Sequence, residues 1–183
     1  MNTALNLSLE EFLNLPEQRW QELPDYPYEF QEGEFIELQE NLEHSEIADI
    51  IRQVLITAGE DTREIKTSSC QLEVSGGTRR PDLMLLANRR KGRSIIRFAE
   101  PTPRLVVEVV SPKSAKIDYE EKRTEYEARG IPEYWIVDPK AQSITINILV
   151  GSTYRETKLT HPDDAIVSQA VPEVSMQLGE LFE

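Results

Sequence analysis

The sequence has little sulphur and no long apolar run. Its 183 residues include one cysteine, Cys70, so no internal disulfide can form and a reducing compartment is expected. Apolar stretches such as Leu83 to Ala87 are much shorter than the roughly 20 residues that a membrane-spanning helix needs. Residues Met1 to Glu10 have neither a basic nor a continuous apolar segment, which argues against a signal peptide. We therefore expect a cytoplasmic protein that does not associate with membranes.

Basic residues are scarce and unevenly distributed. The chain has 20 basic and 33 acidic residues and a net charge of −13, which at first argues against a polyanionic partner. Residues 1–65 hold 3 basic and 16 acidic residues, residues 66–130 hold 14 and 9, and residues 131–183 hold 3 and 8. The middle third is therefore a basic island in an acidic chain.

Half of the basic residues of this island lie between residues 79 and 97. This segment has one acid, Asp82, and seven basic residues, which are Arg79, Arg80, Arg89, Arg90, Lys91, Arg93 and Arg97. Such a run is compatible with an ordinary solvated loop. It is also the composition expected where a protein contacts nucleic-acid phosphates, and we take the first six as candidate contacts.

The hydrophobic pattern predicts one domain over residues 1–183, with an N-terminal extension (1–27), a core (28–150) and a C-terminal packing segment (151–183). Ser8 and Glu11 have the spacing of a capping box, which opens a short helix. Longer helices are predicted at 43–58 and 115–129. Strands are predicted at 28–31, 34–38, 64–74, 82–87, 104–110, 133–137 and 143–150. This order indicates an α/β or α+β fold with a mixed central sheet flanked by helices.

Two acidic residues stand in apolar surroundings. Asp82 enters an apolar strand directly after Pro81, and Glu108 interrupts the apolar run from Leu105 to Val110. A carboxylate in a buried strand is costly unless it is paired, hydrogen-bonded or bound to a metal. Taken singly, Glu108 could pair with an arginine and Asp82 could be a turn residue.

Together, the two acids have a chemical use. On neighbouring strands, and beside the backbone carbonyl of Val109, Asp82 and Glu108 offer the hard oxygen ligands that Mg²⁺ prefers. Such an ion can lower the pKa of a water, orient it for attack on phosphorus and neutralise charge on the phosphate.

A nearby lysine would complete this site, and Lys122 is the candidate. Asp118, Lys122 and Tyr126 are spaced four residues apart and share one face of the predicted helix. The alternative is an ordinary Asp–Lys surface pair. Lys113 and Lys116 are competing sources of positive charge.

At these residues the sequence resembles the Uma-type restriction endonucleases, a branch of the PD-(D/E)xK nuclease superfamily. The matching stretches are Pro81-Asp82, Val106 to Pro112, Asp118, Lys122, Tyr126 and Gly130 to Pro139. Weaker similarity extends upstream through Tyr28-Glu29, Gly33-Glu34 and the helix near His44.

The resemblance implies a restriction-endonuclease-like core and hydrolysis of phosphodiester bonds with Mg²⁺, for which Mn²⁺ could substitute. Asp82 and Glu108 match the metal-binding acids. The superfamily motif has a lysine two residues after the second acid, but this chain has Val110 there. Lys122 on the following helix therefore becomes the matching lysine of this branch.

His44 and Glu46 lie at the start of the helix that in many superfamily members supplies an acid in support of the metal. The resemblance implies that role for Glu46 and a site role for His44. For His44, a local hydrogen bond at the helix N-terminus is the alternative.

Three functions stay open. The first is a Mg²⁺-dependent endodeoxyribonuclease, favoured by the set Asp82, Glu108 and Lys122. The second is an inactive nuclease-fold protein that binds nucleic acid or another partner, favoured by the net charge of −13 and by Val110. The third is a metal-dependent phosphoesterase on a smaller substrate.

A homodimer is also expected, because two sites related by a two-fold axis can cut both strands of a duplex. Trp20, Tyr134 and Trp135 are candidate apolar contacts, with core packing as the alternative for each.

Overall fold

A computed structural model of the chain describes residues 6–38, 42–68, 70–88, 95–112 and 114–183. Its α-helices are α1 (Leu9–Leu13), α2 (Leu42–Thr57) and α3 (Arg123–Arg129). A π-helical turn, Ile117–Lys122, leads directly into α3, and short 3₁₀ segments occupy Glu17–Glu22 and Leu178–Leu181. The strands are β1 (Tyr28–Gln31), β2 (Glu34–Glu37), β3 (Ile65–Thr67), β4 (Gln71–Val74), β5 (Gly77–Arg79), β6 (Leu83–Leu85), β7 (Ile95–Ile96), β8 (Leu105–Val109), β9 (Glu133–Asp138), β10 (Ser143–Val150), β11 (Thr153–Leu159), β12 (Ala165–Ile166) and β13 (Met176–Gln177).

The strands form a six-stranded sheet in the order β11-β10-β9-β8-β6-β3 and a five-stranded sheet in the order β2-β1-β5-β4-β7. β12 and β13 pair separately. β8 and β9 are parallel, as are β4 and β7, whereas the other pairs are antiparallel. The predicted fold class, a mixed sheet flanked by helices, is confirmed.

The six-stranded sheet is covered on both faces. Leu105, Val107 and Val109 of β8 pack in one cluster with α2 and the C-terminal segment. Val106 packs on the opposite face, in a cluster that contains Tyr126 of α3. Because side chains alternate along a strand, Glu108 points toward the face covered by α3.

Several element predictions are confirmed. Ser8 and Glu11 form the capping box of α1, and β1 and β2 lie at two predicted strand positions and form a hairpin. α2 begins at Leu42 and ends at Thr57, within one residue of the prediction at each end. Cys70 is buried and not disulfide-bonded, as expected.

The prediction of one strand over 64–74 was wrong. β3 and β4 belong to different sheets, and between them Ser68 has a φ of +21°, which turns the chain. The Ser68 N–H donates to the carbonyl of Asp82, 3.1 Å away, so the end of β3 is fixed beside the candidate site.

Strand β5 was not predicted, and it begins at a glycine, Gly77. Gly77 lies so close to β1 that a Cβ atom there would be 2.1 Å from the carbonyl oxygen of Phe30. Only glycine allows this approach, and the pairing brings Arg79 next to β1.

Glu133 anchors the C-terminal segment to β9. Its buried carboxylate accepts hydrogen bonds from Trp135 Nε1 (2.6 Å), Ser168 Oγ (3.1 Å) and the backbone N–H groups of Gln169 (2.8 Å) and Ala170 (2.7 Å). All four groups that donate to Glu133 therefore serve to hold the fold together. In the sheet Glu133 pairs with Leu105, which lies at the end of β8 away from the candidate site.

Two of the proposed dimer contacts are not at the surface. Tyr134 and Trp135 are fully buried in the core, whereas Trp20 is 38% exposed. Among the described helices, none has the length and apolar character needed to span a bilayer.

Candidate active site

Asp82, the residue directly before β6, lies across from Glu108 of the neighbouring strand β8. β6 and β8 pair with Leu83 opposite Val107, and continuing this antiparallel register by one step brings Asp82 opposite Glu108. Residues opposite each other in such a pair have side chains on the same face. The structure therefore brings together the two acids that the sequence singled out.

The Asp82 carboxylate is held from two sides. Its Oδ2 accepts a 2.7 Å hydrogen bond from the N–H of Val109, which fixes the side chain against the end of β8. Its Oδ1 lies 3.5 Å from Nδ1 of His44 on α2. The side chain is 20% exposed, so Oδ1 can reach a ligand in the solvent-accessible cleft described below.

Glu108 is almost completely buried, with 3% of its surface exposed. Its Oε1 accepts a 2.6 Å hydrogen bond from the hydroxyl of Tyr126, and its Oε2 lies 2.8 Å from Nζ of Lys122. Burial raises the pKa of the Glu108 carboxyl above its ordinary value, and the Lys122 ammonium opposes this effect. The Glu108 carboxyl therefore holds a proton more readily than an exposed glutamate does.

Lys122 reaches the same point from the helix that follows β8. Its Nζ lies 2.8 Å from Glu108 Oε2 and 2.9 Å from Asp118 Oδ1. Burial alone would lower the pKa of Lys122, but the carboxylates of Glu108 and Asp118 outweigh burial and raise it, so the side chain is an ammonium ion. The predicted face of Asp118, Lys122 and Tyr126 points at Glu108, and all three side chains are buried.

The π-helical turn Ile117–Lys122 was not predicted. π-Helical turns are rare, and they often occur at functional sites. This one begins next to Asp118 and ends at Lys122, and these two are the buried residues of the turn.

These side chains line one cleft of about 810 Å³. Its polar part contains Asp82, Glu108, Asp118 and Lys122, and α2 contributes His44. The hairpin β1–β2 supplies an opposing wall with apolar and acidic side chains, which are Glu29, Ile36 and Glu37.

The donor set of this cleft fits a hard divalent cation. Asp82, Glu108 and Asp118 provide carboxylate oxygens, and Lys122 is the only ammonium ion paired with them in the described structure, so negative charge is in excess when all three acids are ionised. Among the described residues, however, no three acids, histidines or cysteines already converge as ready-made ligands. Asp82 and Glu108 would hold the ion as a pair, with Val109, which also lines the cleft, as the predicted carbonyl ligand.

Arg79, a predicted phosphate contact, is instead buried in an ion-pair network. Its guanidinium lies 3.0 Å from Glu29 and 2.7 Å from Glu125, and it reaches Glu121 at 3.7 Å. Only 7% of the residue is exposed. The network ties β1 and β5 to α3 and engages all three guanidinium nitrogens with carboxylates, which argues against the expected phosphate contact. Sequence reasoning missed it because Glu29 and Glu125 are distant in the chain.

The other basic candidates differ in position. Arg80 lines the cleft and donates from Nε to the carbonyl of Ser68. Arg97, the basic residue of this segment that was not a candidate contact, pairs with Glu73 and contacts the N-terminal segment at Asn14. Four further predicted contacts lie outside the described residues, namely Arg89, Arg90, Lys91 and Arg93.

The remaining candidates are His44, Glu46 and the two lysines that competed with Lys122, and they differ in whether they line the cleft. His44 lines the cleft, and its buried Nε2 has no hydrogen-bond partner among the described residues. Glu46 is exposed on α2 and is not part of the cleft. Of the two lysines that competed with Lys122, Lys116 is exposed and Lys113 lies outside the described residues.

The profile of one protein family, Uma2, matches residues 9–179, and its description reads "Putative restriction endonuclease". The chain belongs to the Uma2 family. A solved structure described as "a putative nuclease belonging to DUF820", from Anabaena variabilis ATCC 29413, has the same fold as this Uma2 protein. The TM-score is 0.72 at 19% identity, over 96% of this chain and 97% of the other. No curated protein matches the sequence.

Proposed function

We propose that this Uma2 protein is a Mg²⁺-dependent endonuclease that hydrolyses phosphodiester bonds in DNA, with Mn²⁺ as a substitute ion. The observation that supports the proposal is the convergence of Asp82, Glu108 and Lys122 in one cleft, from two strands and a helix. The family description adds to it independently of this geometry.

The cation would be held by Asp82 and Glu108, with the carbonyl of Val109 beside them. When bound, it would polarise the phosphate and lower the pKa of a water molecule. The protein's own contribution is preorganisation. The Val109 N–H fixes Asp82, and the Tyr126 hydroxyl fixes Glu108, so neither carboxylate has to be oriented when substrate arrives.

Lys122 supplies the fixed positive charge. Its ammonium lies next to Glu108 and Asp118, and with two of its three N–H groups directed at these carboxylates it would have one left to donate to a phosphate oxygen. The standard superfamily position, Val110, is apolar and 8% exposed, so it contributes nothing of this kind.

Incubation with supercoiled plasmid tests the proposal. We expect nicked or linear product with Mg²⁺ or Mn²⁺ and none with EDTA. Asp82→Ala and Glu108→Ala should abolish cleavage, and Lys122→Ala should reduce it by about 10²–10³-fold, as expected for loss of one stabilising donor. Asp163→Ala removes a fully solvated acid and should leave cleavage unchanged. Intact plasmid under all metal and salt conditions would contradict the proposal, as would cleavage that survives Asp82→Ala.

A non-catalytic nucleic-acid-binding protein is the second candidate. It is favoured by Val110, which stands where the superfamily motif has its lysine. The engagement of Arg79 with Glu29 and Glu125, and the acidic cleft wall, weaken phosphate contact in either function. A gel-shift experiment under the same conditions separates the two functions. Retardation of DNA without cleavage would support the binding protein, and cleavage would support the enzyme.

We also propose a homodimer, because paired sites cut a duplex most simply. Sedimentation should show a species of twice the 21.0 kDa chain mass. Only monomer at all concentrations would contradict the dimer without affecting the site.

A further inference from the structure

Asp118 is more deeply buried than Glu108, yet its carboxylate is incompletely satisfied. The residue is 1% exposed, and neither side-chain oxygen accepts a well-oriented hydrogen bond from a described residue. Among the described residues, its close polar contact is the ion pair with Lys122 Nζ, 2.9 Å from Oδ1. Burying a carboxylate with an empty acceptor is costly, so stability alone does not account for Asp118.

The ammonium of Lys122 is shared between two carboxylates. Glu108 Oε2 lies 2.8 Å from Nζ, and Asp118 Oδ1 lies 2.9 Å from it. Glu108 also accepts from Tyr126, whereas Asp118 makes no second side-chain contact among the described residues. A divalent cation bound to Glu108 would repel the Lys122 ammonium and compete with it for Glu108 Oε2. Asp118 would then be the remaining partner of Lys122.

We propose that Asp118 is the positioning residue of Lys122: it keeps the ammonium ion in the cleft when a divalent cation binds Glu108. The proposal rests on the proposed function for the cation, and it gives Asp118 a task that differs from metal ligation. The π-helical turn supports it, since that turn carries both residues of the pair on its buried side.

The side-chain ammonium signal of Lys122 tests this proposal without any need for nuclease activity. Exposed lysine ammonium groups exchange their protons rapidly with water, whereas a buried and ion-paired group such as Lys122 should give a protected signal in ¹H–¹⁵N correlation spectra. Loss of the signal in Lys122→Met assigns it. In the wild type, we expect Mg²⁺ to shift this signal and leave it protected.

In Asp118→Asn, the signal should be present without Mg²⁺, because Glu108 still holds Lys122. On addition of Mg²⁺ it should be lost to exchange. Asp118→Ser serves the same purpose if the asparagine variant does not fold. Glu127→Gln is the matched control, because Glu127 lies on α3 and accepts from the Tyr154 N–H at 2.6 Å, away from the cleft. It should leave the Lys122 signal unchanged with and without Mg²⁺.

Kinetics give a second readout. Asp118→Asn should lower kcat by between about tenfold and about a hundredfold, as is typical when a supporting residue is removed, with Mn²⁺ affinity nearly unchanged. In the Lys122→Met background, Asp118→Asn should cause no further loss, because its effect acts through Lys122.

A Lys122 signal that stays protected in Asp118→Asn with Mg²⁺ would overturn the positioning proposal, whether or not the protein cuts DNA. Additive losses in the double variant would overturn it too. If Mg²⁺ leaves even the wild-type spectrum unchanged, the metal site of the proposed function fails and the positioning proposal fails with it.

Discussion

Replacing Lys122 by methionine should destabilise the metal-free protein strongly. The substitution keeps the length and the apolar stem of the side chain but removes the ammonium that lies within 2.9 Å of both Glu108 and Asp118. These acids are 3% and 1% exposed, so water cannot replace the lost partner. Removing one member of a buried ion pair typically costs about 3–5 kcal/mol. For a chain of this size that corresponds to a fall in Tm of about 6–20 °C.

The pH dependence of this loss has a definite sign. Burial already raises the pKa of Glu108, and Lys122 is the main group that lowers it, so Lys122→Met raises that pKa further. The folded variant then binds a proton that the unfolded chain releases, and its stability falls as the pH rises. We therefore expect the difference in stability from the wild type to be larger at pH 8 than at pH 6.

Thermal unfolding at pH 6 and pH 8 with EDTA measures the loss of stability in Lys122→Met and its pH dependence. The same measurement is then repeated with saturating Mn²⁺. A cation that binds Glu108 should recover more stability in Lys122→Met than in the wild type, since it replaces the missing charge. Lys158→Met, an exposed lysine on β11, is the control and should change stability by less than about 0.5 kcal/mol. If Lys122→Met unfolds within about 2 °C of the wild type at pH 8, the buried ion triad has been misread, because the expected shift is several times larger.

Three further substitutions test separate contacts. Tyr126→Phe removes the 2.6 Å hydrogen bond to Glu108 and should cost about 1–3 kcal/mol in urea unfolding; plasmid cleavage should slow, and an unchanged rate would show that Glu108 needs no such support. Glu133→Gln weakens four hydrogen bonds in the core and should cost about 1.5–3 kcal/mol by the same assay, yet leave Mn²⁺ affinity unaltered. Arg79→Met removes the guanidinium that pairs with buried Glu29 and partly buried Glu125 and should cost about 3–5 kcal/mol. A stable variant with weakened DNA binding would instead restore Arg79 as a phosphate contact.

The sequence predicted those parts of the site that depend on local pattern. An acid that interrupts an apolar strand, and a second acid at the start of another, identified Glu108 and Asp82, because buried charge is costly and has few structural uses. The i, i+4 spacing of Asp118, Lys122 and Tyr126 predicted a shared helix face. In the structure that face lies next to Glu108. The chemical roles of Asp118, Lys122 and Tyr126 stay predictions.

Contacts between distant segments were beyond the sequence pattern. Glu29, Arg79 and Glu125 come from β1, β5 and α3, and none of them stands out in its own segment. The basic run therefore looked like a phosphate-binding surface, although its first member is buried. The separation of β3 from β4 depends on the positive φ of Ser68, a backbone conformation that is uncommon for serine and that its sequence does not indicate.

The metal site itself is tested most directly by crystals soaked in Mn²⁺ and measured for anomalous scattering. We expect one strong peak in the cleft, within bonding distance of carboxylate oxygens of both Asp82 and Glu108, and no such peak in crystals of Asp82→Ala. The proposal would be contradicted by an empty cleft at saturating Mn²⁺, or by a peak that contacts neither acid.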